Sequence, residues 1–386
     1  MIEETKARKI LRKFRYGMVG GGIGSLIGDV HKRSIDLDGS AQLVAGCFSR
    51  SFETSLETGK MYELEENRIY RTYEEMAKAE AAREDGIDFV VIVTPNSSHY
   101  PISKAFLENG IHVVCDKPLA LSSDEGRDLK RIAEEKGLLF CVAHIYTGYP
   151  LVKQAKLMIE NGDIGKIRSV RGQYIQGWMA TPVEKTGNKQ AAWRIDPKQT
   201  GIANCMGDIG THIEQMMAYV TGLRIESLCA NMTAYLGREL DNDGQVLIKY
   251  EGGASGMLWA SHIVIGHDND LSFIICGEKG TLEWHQEQPN DLIVKMLDQP
   301  TQVLSRGNGY FYPEVNAAVR IPSGHVEGHF VAFANIYRGF TQDLEALETG
   351  APLKYDYPGV DAGIEGNVFV ERCVESNRNG SAWVKF

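Results

Sequence analysis

Along the first 145 positions, apolar residues fall into short continuous runs separated by longer amphipathic stretches. The runs at 16–19, 42–48, 88–93, 111–115 and 138–143 are rich in Val, Ile, Cys and Phe on both alternating faces. That pattern predicts strands buried on two sides. The intervening stretches at 100–109 and 122–136 carry helical periodicity and are each followed by a glycine, Gly110 and Gly137. Glycine reaches the left-handed backbone that stops a helix at little steric cost. Strand and helix in alternation predict an α/β domain with a parallel sheet, whose ligands bind at the carboxyl ends of the strands.

Beyond about residue 150 the rhythm changes. Alternating runs at 167–176, 225–234, 245–250, 254–261 and 271–276 follow one another with few helices between them. This predicts an α+β domain with a large, mostly antiparallel sheet. Glu278, Lys279 and Gly280 read as a hairpin turn, and helical patterns at 328–348 and 361–379 close the chain. The reading divides the protein into residues 1–145 and 146–386, and the chain of 386 residues is long enough to give each its own core.

Composition narrows the class of partner. A formal net charge of -10 disfavours a nucleic-acid or anionic-membrane surface, which needs a basic face. The basic start, with Lys6, Arg8, Lys9, Arg12, Lys13 and Arg15, lacks the apolar stretch of a secretory signal and reads as a solvated helix. No apolar run approaches the roughly 18 residues of a membrane span. The seven cysteines form no Cys-x-x-Cys pair and fit reduced core thiols, hence a cytoplasmic protein.

The first strand runs straight into Gly20, Gly21, Gly22, Ile23, Gly24 and Ser25. Small residues there let the backbone approach a pyrophosphate, and the next helix offers free N–H groups and the positive end of its dipole. Ser25 stands where a third glycine is usual. The second strand ends at Ser49 and Arg50 with no acidic residue to accept from a ribose. Either these two hold the 2′-phosphate of NADP, or Arg50 stacks on adenine or sits in water, so both NAD and NADP remain open. Thr94, Pro95 and Asn96 close the third strand, with His99 just beyond, either where a dinucleotide crosses or as a plain turn capping a helix.

At Asp116-Lys117-Pro118, after the fourth strand, the chain resembles the Gfo/Idh/MocA oxidoreductases, which usually carry Glu-Lys-Pro there. The glycine loop, Thr94-Pro95-Asn96, Trp193-Arg194 with Asp196-Pro197, Gly207-Asp208-Ile209-Gly210-Thr211-His212 and the ending Trp383-Val384 strengthen the likeness. The segments 146–150, 189–194 and 320–325 resemble levoglucosan dehydrogenases, glycoside 3-dehydrogenases and inositol dehydrogenase-like members. The resemblance implies a Rossmann domain, a C-terminal domain on an open sheet, and a homo-oligomer, dimer or tetramer, formed through that sheet. It implies a cofactor site that includes Asp116, Lys117, Trp193 and Arg194. His144 and Tyr146 stand where many members have Asn and Arg, and they border the expected nicotinamide and substrate sites.

Asp208 and His212 are four residues apart, one turn if the stretch is helical. Oxidising a carbinol carbon requires loss of the hydroxyl proton, which a neutral imidazole can take. The expected roles are His212 as base, Asp208 as orienter of the imidazole or ligand of an adjacent hydroxyl, and Lys117 as donor to the reacting oxygen. Tyr146, Tyr174, Gln176 and His325 are candidate substrate contacts. Plainer readings stand beside these: Asp208 as a helix N-cap, His212 as a core histidine, and Lys117 as a solvated lysine. A catalytic metal is not expected, because Asp208, His212 and Glu214 lack two-histidine helical spacing. The expected function is NAD(P)-dependent oxidation or reduction at a secondary carbon of a sugar, glycoside or cyclitol. The alternatives are a glycosidase-like enzyme that oxidises transiently with tightly held NAD and eliminates a leaving group, and a non-catalytic dinucleotide-sensing regulator.

Overall fold

A computed structural model describes residues 12–386. The helix expected over the basic start lies largely outside the described residues; Arg15 belongs to the first strand, where alternation with buried Phe14 and Tyr16 overrides the helical reading. Strands β1 (Phe14–Gly20), β2 (Ala41–Cys47), β3 (Phe89–Val93), β4 (His112–Cys115) and β5 (Phe140–Val142) form a parallel sheet in the order β2-β1-β3-β4-β5. Every residue of β3 is buried, as its unbroken apolar run requires. The order reverses at β1, so a crevice opens between the carboxyl ends of β1 and β3. The register pairs Gly20 with Val93, which sets the glycine loop beside Thr94.

The loop is held by close backbone packing. Gly20 and Gly21 have φ of +85° and +73°, and a Cβ on Gly20 would lie 2.6 Å from the Val93 carbonyl oxygen. Ser25 caps helix Leu26–Asp36 by accepting from the Gly28 N–H. Gly28 in turn rests on the loop: a Cβ there would fall 2.5 Å from the Gly21 Cα. The close helix-to-loop approach that a third glycine usually permits is thus supplied one turn later than the sequence motif suggests. The predicted helix stops hold, with Gly137 left-handed at the end of Ser123–Lys136 and Gly110 at φ +80° after His99–Glu108.

The second sheet has nine strands: β6 (Ile167–Ile175), β7 (Ile225–Thr233), β8 (Asp243–Tyr250), β9 (Ser255–Ser261), β10 (Asp270–Gly277), β11 (Gly280–His285), β12 (Asp291–Met296), β13 (Gln302–Ser305) and β14 (Val384–Lys385). Their order is β13-β12-β11-β10-β6-β9-β8-β7-β14, antiparallel except for the β6–β9 pair. Glu278 and Lys279 make the expected tight turn between β10 and β11. Helix Thr211–Thr221 lies on one face so closely that a Cβ on Gly172 of β6 would come 2.5 Å from Ile213. The other face exposes a row that includes Leu247, Met257 and Val303.

The last two helices return to the first sheet. Phe340 of His329–Thr349 meets Phe89 at 5.3 Å between ring centroids, and Asn367 of Val360–Arg378 donates to the Ala120 carbonyl at 2.7 Å. Asp38, just after the glycine-loop helix, accepts from both Arg320 and Arg338. Burial would raise its pKa, but the two guanidinium groups bring it below the ordinary range. Among the described residues, no helix is long and apolar enough to cross a membrane.

Because the space at Gly28 is occupied by loop backbone, Gly28→Ala must displace the loop. Dinucleotide affinity measured by calorimetry is expected to fall at least about tenfold, equivalent to about 1.4 kcal/mol. Unchanged affinity would show that the loop tolerates the added methyl group.

Candidate active site

The peptide after β4 carries Lys117, and the chain turns away at Pro118 through a cis Lys117-Pro118 bond. Opposite it, the short π turn Met206–Gly210 carries Asp208 and leads into helix Thr211–Thr221. The buried Asp241 carboxylate anchors this turn by accepting from the N–H groups of Asn204 at 2.7 Å and Met206 at 2.8 Å. Lys117 Nζ donates to the Asp208 backbone oxygen at 2.6 Å and to its Oδ1 at 2.7 Å. Arg194 Nε donates to Oδ2 at 2.9 Å, and His262 Nε2 lies 3.4 Å from the same oxygen. Burial alone would raise the Asp208 pKa, but the charges of Arg194 and Lys117, with His262, hold it well below the usual carboxylate range.

The His212 imidazole sits one turn on, edge-to-face with Tyr146 at 4.8 Å and with His144 at 5.4 Å between centroids. Its Nδ1 is buried without a hydrogen-bond partner among the described residues. Burial first, then the nearby Lys117 charge and His144, lower its pKa well below the ordinary value, so the ring is neutral at physiological pH. His144 is lowered to about 3 by burial and by Lys117. Of the two roles expected of Asp208, orienting the imidazole or binding an adjacent hydroxyl, the first has no direct contact behind it: Asp208 does not hydrogen-bond the His212 ring. Both carboxylate oxygens are engaged by cations, which compete better for an anion than a neutral imidazole does.

A polar wall completes the cleft. Tyr146 and Tyr174 share a hydrogen bond of 2.6 Å, and Tyr174 donates to Asn269 Oδ1 at 2.6 Å. Gln176 donates to the same Asn269 oxygen at 2.8 Å and accepts from the Trp178 indole at 3.0 Å. The Arg194 guanidinium lies over Trp193 at 4.3 Å and near Trp178 at 5.7 Å. The cleft measures about 650 Å³ and runs from Ser25, Leu26 and Ile27 past Thr94, Pro95, Asn96 and Asp116 to Lys117, Asp208 and His212.

The remaining sequence candidates divide. Gly20, Gly22, Ile23 and Gly24 form the loop above the cleft, where a Cβ on Gly22 would lie 3.0 Å from the Phe48 carbonyl oxygen. The Gly22 N–H donates to that oxygen at 3.2 Å, which brings Ser49 and Arg50 beside the loop but outside the deep cleft. Arg50 is exposed, and its guanidinium has no partner among the described residues. His99 is a brace rather than a lining residue: its buried ring lies between the carbonyl oxygens of Pro118 at 2.6 Å and Thr94 at 2.8 Å. His325 does not reach the cleft. Its loop is gathered by Arg306, which donates to the carbonyls of Ile321, Pro322 and His325, and His325 itself is exposed. His329, four residues on, lines the cleft instead and packs on Phe333. Asn269 and His262 also belong to the site. Nothing local marks them, because they lie at the two ends of the loop between β9 and β10, far from Asp208 in the chain. Among the described residues, no group of three or more His, Cys, Asp or Glu has the arrangement of a metal site.

The chain matches two family models: "Oxidoreductase family, NAD-binding Rossmann fold" over residues 14–144 and "GFO/IDH/MocA C-terminal domain" over residues 152–283. It is 37% identical to the uncharacterised oxidoreductase YfiI of Bacillus subtilis, with 98% of each chain covered. It is 29% identical to levoglucosan dehydrogenase of Pseudarthrobacter phenanthrenivorans over 54% of this chain and 58% of that one. Its structure is similar to an inositol dehydrogenase homologue of Azotobacter vinelandii in complex with NAD+, with a TM-score of 0.94, 37% identity and 98% of both chains covered. The same homologue with NADH and myo-inositol gives a TM-score of 0.91, at 37% identity and 98% of both chains. Sequence, sheet order and cleft agree with these matches: the chain is an NAD-binding oxidoreductase of the Gfo/Idh/MocA family.

Proposed function

We propose that this protein oxidises, and in reverse reduces, a secondary carbon bearing a hydroxyl or keto group on a sugar, glycoside or cyclitol, with NAD or NADP as redox partner. One observation carries the reading: an ammonium from the first sheet meets a carboxylate and a neutral imidazole from the second domain in a single cleft below the glycine loop. The proposal assigns dinucleotide binding to residues 1–145 and substrate binding to residues 146–386.

The glycine loop fits a dinucleotide, since Cβ atoms on Gly20 or Gly28 would strike backbone that a pyrophosphate must be able to approach. Bound NAD supplies the carbon that takes up or returns the hydride. Lys117 donates to the substrate oxygen and stabilises its alkoxide character. Asp208 holds that ammonium in place, and its oxygens, each already accepting from a cation, keep a further lone pair for a neighbouring hydroxyl. His212, which lines the cleft, takes the hydroxyl proton on its imidazole. Tyr146, Tyr174 and Gln176 offer uncharged hydrogen-bonding groups suited to ring hydroxyls. The myo-inositol complex of the inositol dehydrogenase homologue supports a cyclitol-sized substrate. Copies associate through the open face of the nine-stranded sheet, where Leu247, Met257 and Val303 are exposed. Seven free cysteines accord with a reducing, cytoplasmic setting.

A panel of sugars and cyclitols should produce net NADH or NADPH in steady state; cleavage of a glycoside without net reduced cofactor would transfer the chain to the elimination reading. Lys117→Ala and His212→Ala should each lower kcat by about a hundredfold or more, in the range of general acid–base effects, while the dissociation constant for the dinucleotide stays within about twofold. Parent turnover in either variant would remove its assigned role. Because the His212 pKa is lowered, the ring remains a competent base as pH falls through 6.5, so the acid limb of kcat/KM should lie below that pH. An acid limb above 6.5 would contradict a neutral, buried imidazole. Arg50→Ala should weaken NADP more than NAD in paired titrations, and equal losses would show that Arg50 does not read the 2′-phosphate.

A further inference from the structure

His262 takes no part in the proposed proton or hydride transfer, yet it is wholly buried behind the charged groups of the cleft. It follows β9 directly, and its backbone is fixed from both sides. Its N–H donates to the Asn242 carbonyl at 2.9 Å, and its carbonyl accepts from the Met179 N–H at 3.0 Å. The ring stands edge-to-face against Trp178, with centroids 5.8 Å apart. Both ring nitrogens are buried and neither makes a full hydrogen bond among the described residues, but Nε2 faces Asp208 Oδ2 at 3.4 Å, whereas Nδ1 has no acceptor against it.

The tautomer follows from these contacts. A proton on Nδ1 would leave an N–H orphaned in the interior and turn the Nε2 lone pair toward a carboxylate. A proton on Nε2 points a donor at an anion and leaves only a lone pair unmatched, the less costly arrangement. Asp208 Oδ1 is taken by Lys117, and Oδ2 already accepts from Arg194. An Nε2–H facing Oδ2 at 3.4 Å adds a weaker electrostatic contact to that oxygen, on the side of the carboxylate away from Lys117's oxygen, Oδ1.

We propose that His262 is a positioning residue that, as the Nε2–H tautomer, locks the Asp208 carboxylate and couples it to the Trp178 wall of the cleft. The inference rests on the assignment of Asp208 to the reacting site. Loss of the donor leaves Asp208 paired to two cations but rotationally less constrained, so the effect falls on kcat rather than on dinucleotide binding.

His262→Phe should lower kcat about tenfold or more with KM for the dinucleotide unchanged, and His262→Gln, which keeps an N–H near the Nε2 position, should recover most of that loss. In an Asp208→Asn background, adding His262→Phe should cost nothing further in kcat, because the two residues act as one unit. Full additivity, or equal losses in the Phe and Gln variants, would overturn the proposal. Nitrogen-15 correlation spectra of the parent protein give a readout independent of any variant: the Nε2–H tautomer is expected, and Nδ1–H would overturn it. If Asp208→Asn itself turns over at the parent rate, the functional assignment fails; if Asp208→Asn is impaired while His262→Phe is not, the positioning role alone fails.

Discussion

The Asp208 carboxylate is the joint on which the site depends. It sits in the second domain, accepts from Lys117 at the end of a strand in the first sheet, and accepts from Arg194 in the segment that covers the cleft. A buried carboxylate is costly unless cations and donors surround it, and a buried ammonium is costly without an anion. Each group therefore makes the placement of the others favourable. His212 beside them stays unprotonated chiefly because it is buried, with the Lys117 charge and His144 adding to the effect and Asp208 opposing it. The Lys117–Asp208 ion pair thus joins the two domains beside a neutral imidazole.

Close backbone packing makes that joint rigid. Gly28 against Gly21 sets the glycine-loop helix, and Gly172 against Ile213 sets the helix that carries His212. Gly148 sits where a Cβ would come 2.1 Å from the Ala332 carbonyl oxygen, so the turn after β5, which carries Tyr146, is pressed onto the helix that carries His329. In each case the missing side chain lets an element bearing a cleft residue approach its support more closely than any other residue type permits. The Asp38 contacts to Arg320 and Arg338 hold the same C-terminal helix against the first sheet.

The polar wall has a different character from the charged trio. Tyr146, Tyr174, Asn269, Gln176 and Trp178 hydrogen-bond to one another in series. Groups that satisfy each other in this way can be buried beside the cleft at small cost, and they fix one another's rotamers before any ligand enters. Preorganisation of this kind gives selectivity through shape and hydrogen-bond direction.

The sequence by itself determined the two sheets and most of their strands, because a continuous apolar run such as Phe89–Val93 and an alternating run such as Asp243–Tyr250 each leave a local signature of which faces are buried. It also marked the glycine loop and the Lys117, Asp208 and His212 positions, where the family resemblance supplied what spacing alone left open. Only the tertiary structure decided what Asp208 touches, that His99 braces two loops, that His325 lies outside the cleft while His329 lines it, and that Gly28 packs on the glycine loop while His262 and Asn269 stand beside cleft residues. The reason is physical: periodicity records whether a residue faces a core, whereas a carboxylate's partners are fixed by which strand ends and helices converge in space. His262 is brought to Asp208 by the placing of β9 between β6 and β8, an arrangement that no local stretch of the chain encodes.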